Sequence, residues 1–155
     1  MWPTWSVNCA VSAGVIEMRV MLDTNVLLSV LLFPGERMNR MMRFIFERHH
    51  LVLSSFVVEE LTYVVKRKFP GKLKAVDSLL STMSFELVYT PQELEPGLFD
   101  IRDAKDYPVL YTAIREDVDV LITGDKDFSD VDVERPEVLT PAQFIERYVD
   151  GAENR

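Results

Sequence analysis

A chain of 155 residues suits one domain with a single good core, and with 48% hydrophobic residues it is globular rather than disordered. No apolar run approaches the roughly 20 residues that span a bilayer. The single cysteine, Cys9, excludes an internal disulfide framework and fits a reducing, cytoplasmic setting.

Residues 1–17 lack a basic leading region and so do not read as a signal peptide. They read as an N-terminal extension before a domain spanning 18–150, with 151–155 as a short C-terminal tail. Met18–Leu22 is apolar and predicts a buried strand, and Thr24–Leu32 a helix that Pro34-Gly35 breaks. Glu36–Arg48 is a second helix, with Met38, Met41, Met42 and Ile45 at helical spacing. That stripe reads as core or as a subunit contact. His49-His50 form a junction before the strand Leu51–Leu53.

Ser54 or Ser55 caps a third helix, Phe56–Lys68, whose last turn Lys66-Arg67-Lys68 suits the helix dipole. Pro70-Gly71 ends it. Lys72–Ser81 is a further helix and Phe85–Tyr89 a strand. Thr90–Lys105 is a polar connection. Asp106–Glu116 is helical, Asp119–Thr123 is a strand, and Gly124–Asp130 turns the chain. Val138-Leu139 is a last short strand before a closing helix through Val149, begun by Thr140-Pro141. Short apolar strands alternating with helices predict an α/β fold: a parallel sheet with helices on both faces. Sites in such sheets form beyond the carboxyl ends of the strands.

Charge is uneven along the chain. The net charge of −8 looks wrong for a nucleic-acid enzyme, yet residues 37–74 carry nine basic and three acidic residues, whereas 75–155 carry seven basic and nineteen acidic. A basic half suited to a phosphate backbone thus sits beside an acidic half suited to metal, although uneven surface charge alone gives the same pattern.

Four of the 25 acids stand out by position. Asp23 ends the first strand, Asp106 opens a helix, and Asp125 follows the strand Val120–Thr123. On the helix 56–68, Val57, Leu61, Val64 and Val65 define the buried stripe; Glu60 falls on its flank and Glu59 on the far side. Carboxylates kept near apolar surface are costly unless a positive partner meets them, and Mg²⁺ or Mn²⁺ favours such oxygens. Each acid also has a plain structural use. Asp23 and Asp106 fit helix N-caps, Glu60 fits a boundary glutamate, and Thr123-Gly124-Asp125 fits a tight turn.

The stretches Val20–Asn25, Ser54–Leu61, Arg102–Asp106 with Ala113 beyond, and Leu121–Phe128 make residues 18 to about 148 resemble the PIN-domain ribonucleases. More narrowly, the chain resembles the PIN-family toxins of toxin–antitoxin systems, relatives of the VapC-type toxins. The resemblance implies a three-layer α/β/α domain with about five mainly parallel strands. It implies Asp23, Glu60, Asp106 and Asp125 as catalytic metal ligands, with Asn25, Thr123, Asp127 and Asp103 as accessory groups. Lys105, Lys126, Arg37 and Arg40 are candidate RNA contacts. The implied activity is endoribonucleolytic cleavage of RNA by water activated at Mg²⁺ or Mn²⁺. An antitoxin covering the active edge and a homodimer, with helix 36–48 as one pairing surface, are implied partners. A silent PIN-like RNA-binding or assembly module is the alternative.

Overall fold

The computed structural model describes residues 17–128 and 131–153. The extension read at residues 1–17 lies outside these residues apart from Glu17, as do Cys9 and the last two residues of the tail. The strands are β1 (Arg19–Leu22), β2 (His50–Ser54), β3 (Glu86–Val88), β4 (Val120–Ile122) and β5 (Glu137–Leu139). All pair in parallel in the order β3-β2-β1-β4-β5, with Met21 opposite Val52 on one side and Leu121 on the other.

The first four strands are joined in turn through helices, whereas β4 and β5 are joined by a loop with one short 3₁₀ turn, Lys126–Phe128, among its described residues. The helices are α1 (Thr24–Leu32), α2 (Glu36–Arg48), α3 (Ser55–Lys68), α4 (Leu73–Thr82) and α5 (Tyr107–Arg115). After β5, α6 (Pro141–Phe144) continues through a π-helical stretch, Ile145–Val149, into α7 (Asp150–Glu153), beyond the expected end at Val149. Thr140 and Gln143 form a reciprocal capping box at its start. Ser54 caps α3 by accepting the Val57 N–H.

The central strands have no solvent-facing side. Val20, Met21, Leu22, Leu121 and Ile122 are all fully buried, so helices cover both faces and the three-layer α/β/α expectation holds. Helix α1 packs on α3 and α4, while α2 packs on β2 and on the closing helical segment. The methionine stripe of α2 is core: Met41, Met42 and Ile45 are fully buried within this chain. These three side chains are taken up by the monomer, whereas Met38 is half-buried.

The strand order fixes where a site can form. From β1 the chain builds outward to β2 and β3, then crosses back to place β4 on the other flank of β1. The order reverses between β1 and β4, and a crevice opens beyond their carboxyl ends.

Candidate functional site

Asp23 is the first residue past β1, and its backbone N–H donates to the Ile122 carbonyl at 3.0 Å, tying it to the end of β4. Its side chain is 3% exposed. One carboxylate oxygen, Oδ1, accepts the Thr24 N–H at 2.7 Å, and Oδ2 accepts the Thr123 hydroxyl at 2.8 Å. Both the capping and the site readings of Asp23 are therefore true of one side chain. Burial raises its pKa, those two hydrogen bonds pull it back, and the charges of Glu60 and Asp125 push it up further.

Thr123 serves two acids at once. Besides donating to Asp23, its hydroxyl accepts the Asp125 N–H at 3.1 Å and so shapes the turn after β4. Asp125 is half-buried there. Asp106 closes a 3₁₀ turn, Ala104–Asp106, that leads into α5. It does not cap that helix: its side chain makes no capping hydrogen bond. Asp103 caps the 3₁₀ turn instead, accepting the Lys105 N–H at 2.9 Å.

Asp106 is 9% exposed, and its Oδ2 is buried without a hydrogen-bond partner among the described residues. Its pKa is raised from 3.8 to about 7, first by burial, then by the charge of Asp125 and a hydrogen bond shared with it, then by Asp23 and Asp103. Glu60 is half-buried on α3 while Glu59 is exposed, as the helical spacing predicts, and Glu60 is close enough to raise the Asp23 pKa. The structure thus brings Asp23, Asp106 and Asp125 into one electrostatic group, with Glu60 beside Asp23.

Among the described residues, no three acids, histidines or cysteines form a ready-made metal-holding group. Asp23 is held by Thr24 and Thr123, and Asp106 shares a hydrogen bond with Asp125. The donor set still fits a hard divalent ion. It consists of carboxylates alone, one oxygen is buried with no partner, and two carboxyls are held above their ordinary pKa by mutual repulsion and burial.

The remaining candidates divide. Lys105 and Lys126 are exposed and flank Asp106 and Asp125 in sequence. Asn25 is exposed in the first turn of α1. Asp127 lies in the turn Lys126–Phe128, but its side chain is outside the described residues. Arg40 forms an ion pair with Asp150, about 15 Å of helix below the carboxyl end of β5. Arg37 is exposed one turn before it on α2. Sequence reading gave no role to the aromatic residues around Asp106. Phe99, Tyr107 and Tyr111 form a stack there, and only the adjacency of Tyr107 to Asp106 signals it in the sequence.

A three-layer parallel α/β domain with paired carboxylates at its topological switch point is a defined class of protein. The chain belongs to the PIN domain family, whose model matches residues 19–127. Among solved structures it is similar to a chain of VapBC2 from Rickettsia felis, bound to a DNA fragment from their promoter, with a TM-score of 0.62 at 23% identity, covering 79% of this chain and 97% of that one. It is also similar to a chain of VapBC-1 from nontypeable Haemophilus influenzae, with a TM-score of 0.59 at 16% identity, covering 81% and 99%. A chain of DNA-bound VapBC from Salmonella typhimurium gives 0.59 at 15%, covering 80% and 98%. These likenesses establish the shared fold. Among curated proteins, no sequence match is found.

Proposed function

We propose that this PIN domain is a divalent-cation-dependent endoribonuclease and the toxin of a toxin–antitoxin pair. The observation that carries the reading is the buried, unpartnered Oδ2 of Asp106 facing Asp125 and Asp23 at the sheet's switch point. Membership of the PIN family and the fold shared with chains of VapBC complexes support it.

Asp23, Asp106 and Asp125, with Glu60, would hold Mg²⁺ or Mn²⁺. When bound, such an ion acidifies a water and neutralises charge at the scissile phosphate. The chain supplies the rest. Thr123 fixes the Asp23 carboxylate and the Asp125 backbone in one move, so the two strand ends hold a constant spacing. Asp106 surrenders its proton when a positive charge arrives. Lys105 and Lys126, on either side, are placed to meet the phosphate backbone of a single-stranded or looped RNA. No membrane-crossing helix exists among the described residues. An antitoxin would cover the carboxyl edge of the sheet.

The test is cleavage of a mixed RNA pool by the purified full chain with Mg²⁺, with Mn²⁺ and with EDTA, beside Asp23→Asn and Asp106→Asn. We expect cation-dependent cleavage in the parent and a loss of at least about a hundredfold in each variant, with unchanged circular dichroism. No cleavage, together with no Mn²⁺ binding by calorimetry, would replace this reading with a silent RNA-binding or assembly module.

A further inference from the structure

A cavity of about 530 Å³ lies against the turn that carries Asp106. Its walls include Pro96, Phe99, Ile101, Tyr107 and Pro108, with Arg102 and Asp100 also on the lining. Tyr107 is the residue after Asp106, so the cavity wall begins about one residue spacing, roughly 3.8 Å, from the acid's own backbone. The aromatic rings here are ordered as a ladder. Phe99 stacks on Tyr107 with centroids 4.4 Å apart and planes 18° apart, and Tyr107 lies 5.9 Å and 30° from Tyr111.

The ladder is fixed before anything binds. The Tyr107 hydroxyl donates to the Glu95 carbonyl and accepts the Leu98 N–H at 3.4 Å, which ties the loop before Phe99 to the start of α5. Tyr111 is buried, whereas Phe99 and Tyr107 are half-buried and line the cavity, with Phe99 at the end of the stack. Apolar walls of this size suit a flat ligand of nucleotide dimensions. The polar groups suit a nucleotide too. Arg102 on the lining and the exposed Lys105, next to Asp106 in sequence, supply positive charge, and Asp100 offers an acceptor to an exocyclic amino group.

We propose that this cavity is a nucleobase subsite: one unpaired base of the RNA strand stacks on the Phe99–Tyr107 ladder while the neighbouring phosphate lies at Asp106. The inference rests on the ribonuclease reading for its substrate, but it concerns binding and not cleavage. It assigns Phe99, backed by Tyr107, as the platform that holds the base beside the cut. Stacking on an aromatic ring is available to every base, and the walls around the ring select among them.

The test separates the two readings by using EDTA. Fluorescein-labelled hexanucleotides of A, C, G or U are titrated into the full chain without divalent cation, and anisotropy gives the Kd. Expected is a preference for one base, a roughly tenfold weaker Kd in Phe99→Leu, and recovery in Phe99→Tyr. Should Phe99→Leu fail to fold, one abasic residue moved along the preferred strand on the parent protein replaces it, and one position must cost the same factor. Equal Kd for all strands, an unchanged Kd in Phe99→Leu, or no effect of an abasic residue anywhere overturns the subsite and leaves the cavity to a protein partner's apolar side chain. Phe99-dependent binding without cation-dependent cleavage keeps the subsite and removes the nuclease. Cleavage with Phe99-independent binding does the reverse.

Discussion

A buried carboxyl answers to its neighbours more than to solvent, and Asp106 shows the consequence. Its pKa in the folded chain is about 7 against an ordinary 3.8, so folding favours its protonated form. That contribution to stability is whole below about pH 4 and is lost as pH rises through about 7. Asp23, also raised by burial, acts in the same direction. We expect the melting temperature of EDTA-treated protein, compared with that of Asp106→Asn, to lose ground steadily between those pH values. A parent and variant with parallel pH profiles would contradict the assignment. At this scale the sequence was informative where chain position alone fixed the answer. Asp23 and Asp125 had to lie at strand ends, and helical spacing separated Glu60 from Glu59. It was silent where a partner lies far along the chain: Arg40 reads as a free surface cation until Asp150, 110 residues away, takes it up.

Elements begin and end where the local chemistry says they should. The Ser54 cap, the Pro70 stop and the Thr140–Gln143 capping box all lie within a residue or two of the expected boundaries. Removing the box tests one of them. Thr140→Ala should cost about 1 kcal/mol in urea unfolding, because the Gln143 N–H at the helix start loses its acceptor. A change below a few tenths would mean that β5 and the packing of Phe144 hold this helix without its cap. The π-helical stretch Ile145–Val149 was not legible, since a wider turn has no composition signature. The aromatic ladder was missed for a related reason: Phe99 belongs to no regular element, and loop residues carry no period from which to infer a partner. The methionine stripe was legible as an apolar face. Only the packing of α2 on β2 and the closing helix decided that the face is spent inside the chain.

At the scale of the whole molecule, charge and topology are arranged along one axis. The acids gather at the carboxyl edge, whereas Lys66, Arg67 and Lys68 end α3, about 20 Å of helix from its start at that edge. An RNA strand that follows α3 would release counterions at all three. Replacing them together with alanine should reduce the slope of log Kd against log salt by about 2, measured with the same labelled strands. A slope identical to the parent's would route the strand elsewhere. Short apolar strands between helices made the parallel sheet readable from the sequence. The order β3-β2-β1-β4-β5 was not, because strand neighbours are chosen by tertiary contacts that no local pattern records.

The return of β4 to the flank of β1 also sets a schedule. During synthesis the amino end emerges first, and Asp23 is made with no counterpart to face. Glu60 and then Asp106 follow on separate elements, and the Thr123 hydroxyl that fixes Asp23 is about a hundred residues behind it. A chain stalled anywhere before that point has acids but no floor to hold them. On the nuclease reading proposed above, nearly the whole domain must leave the ribosome before the site is complete.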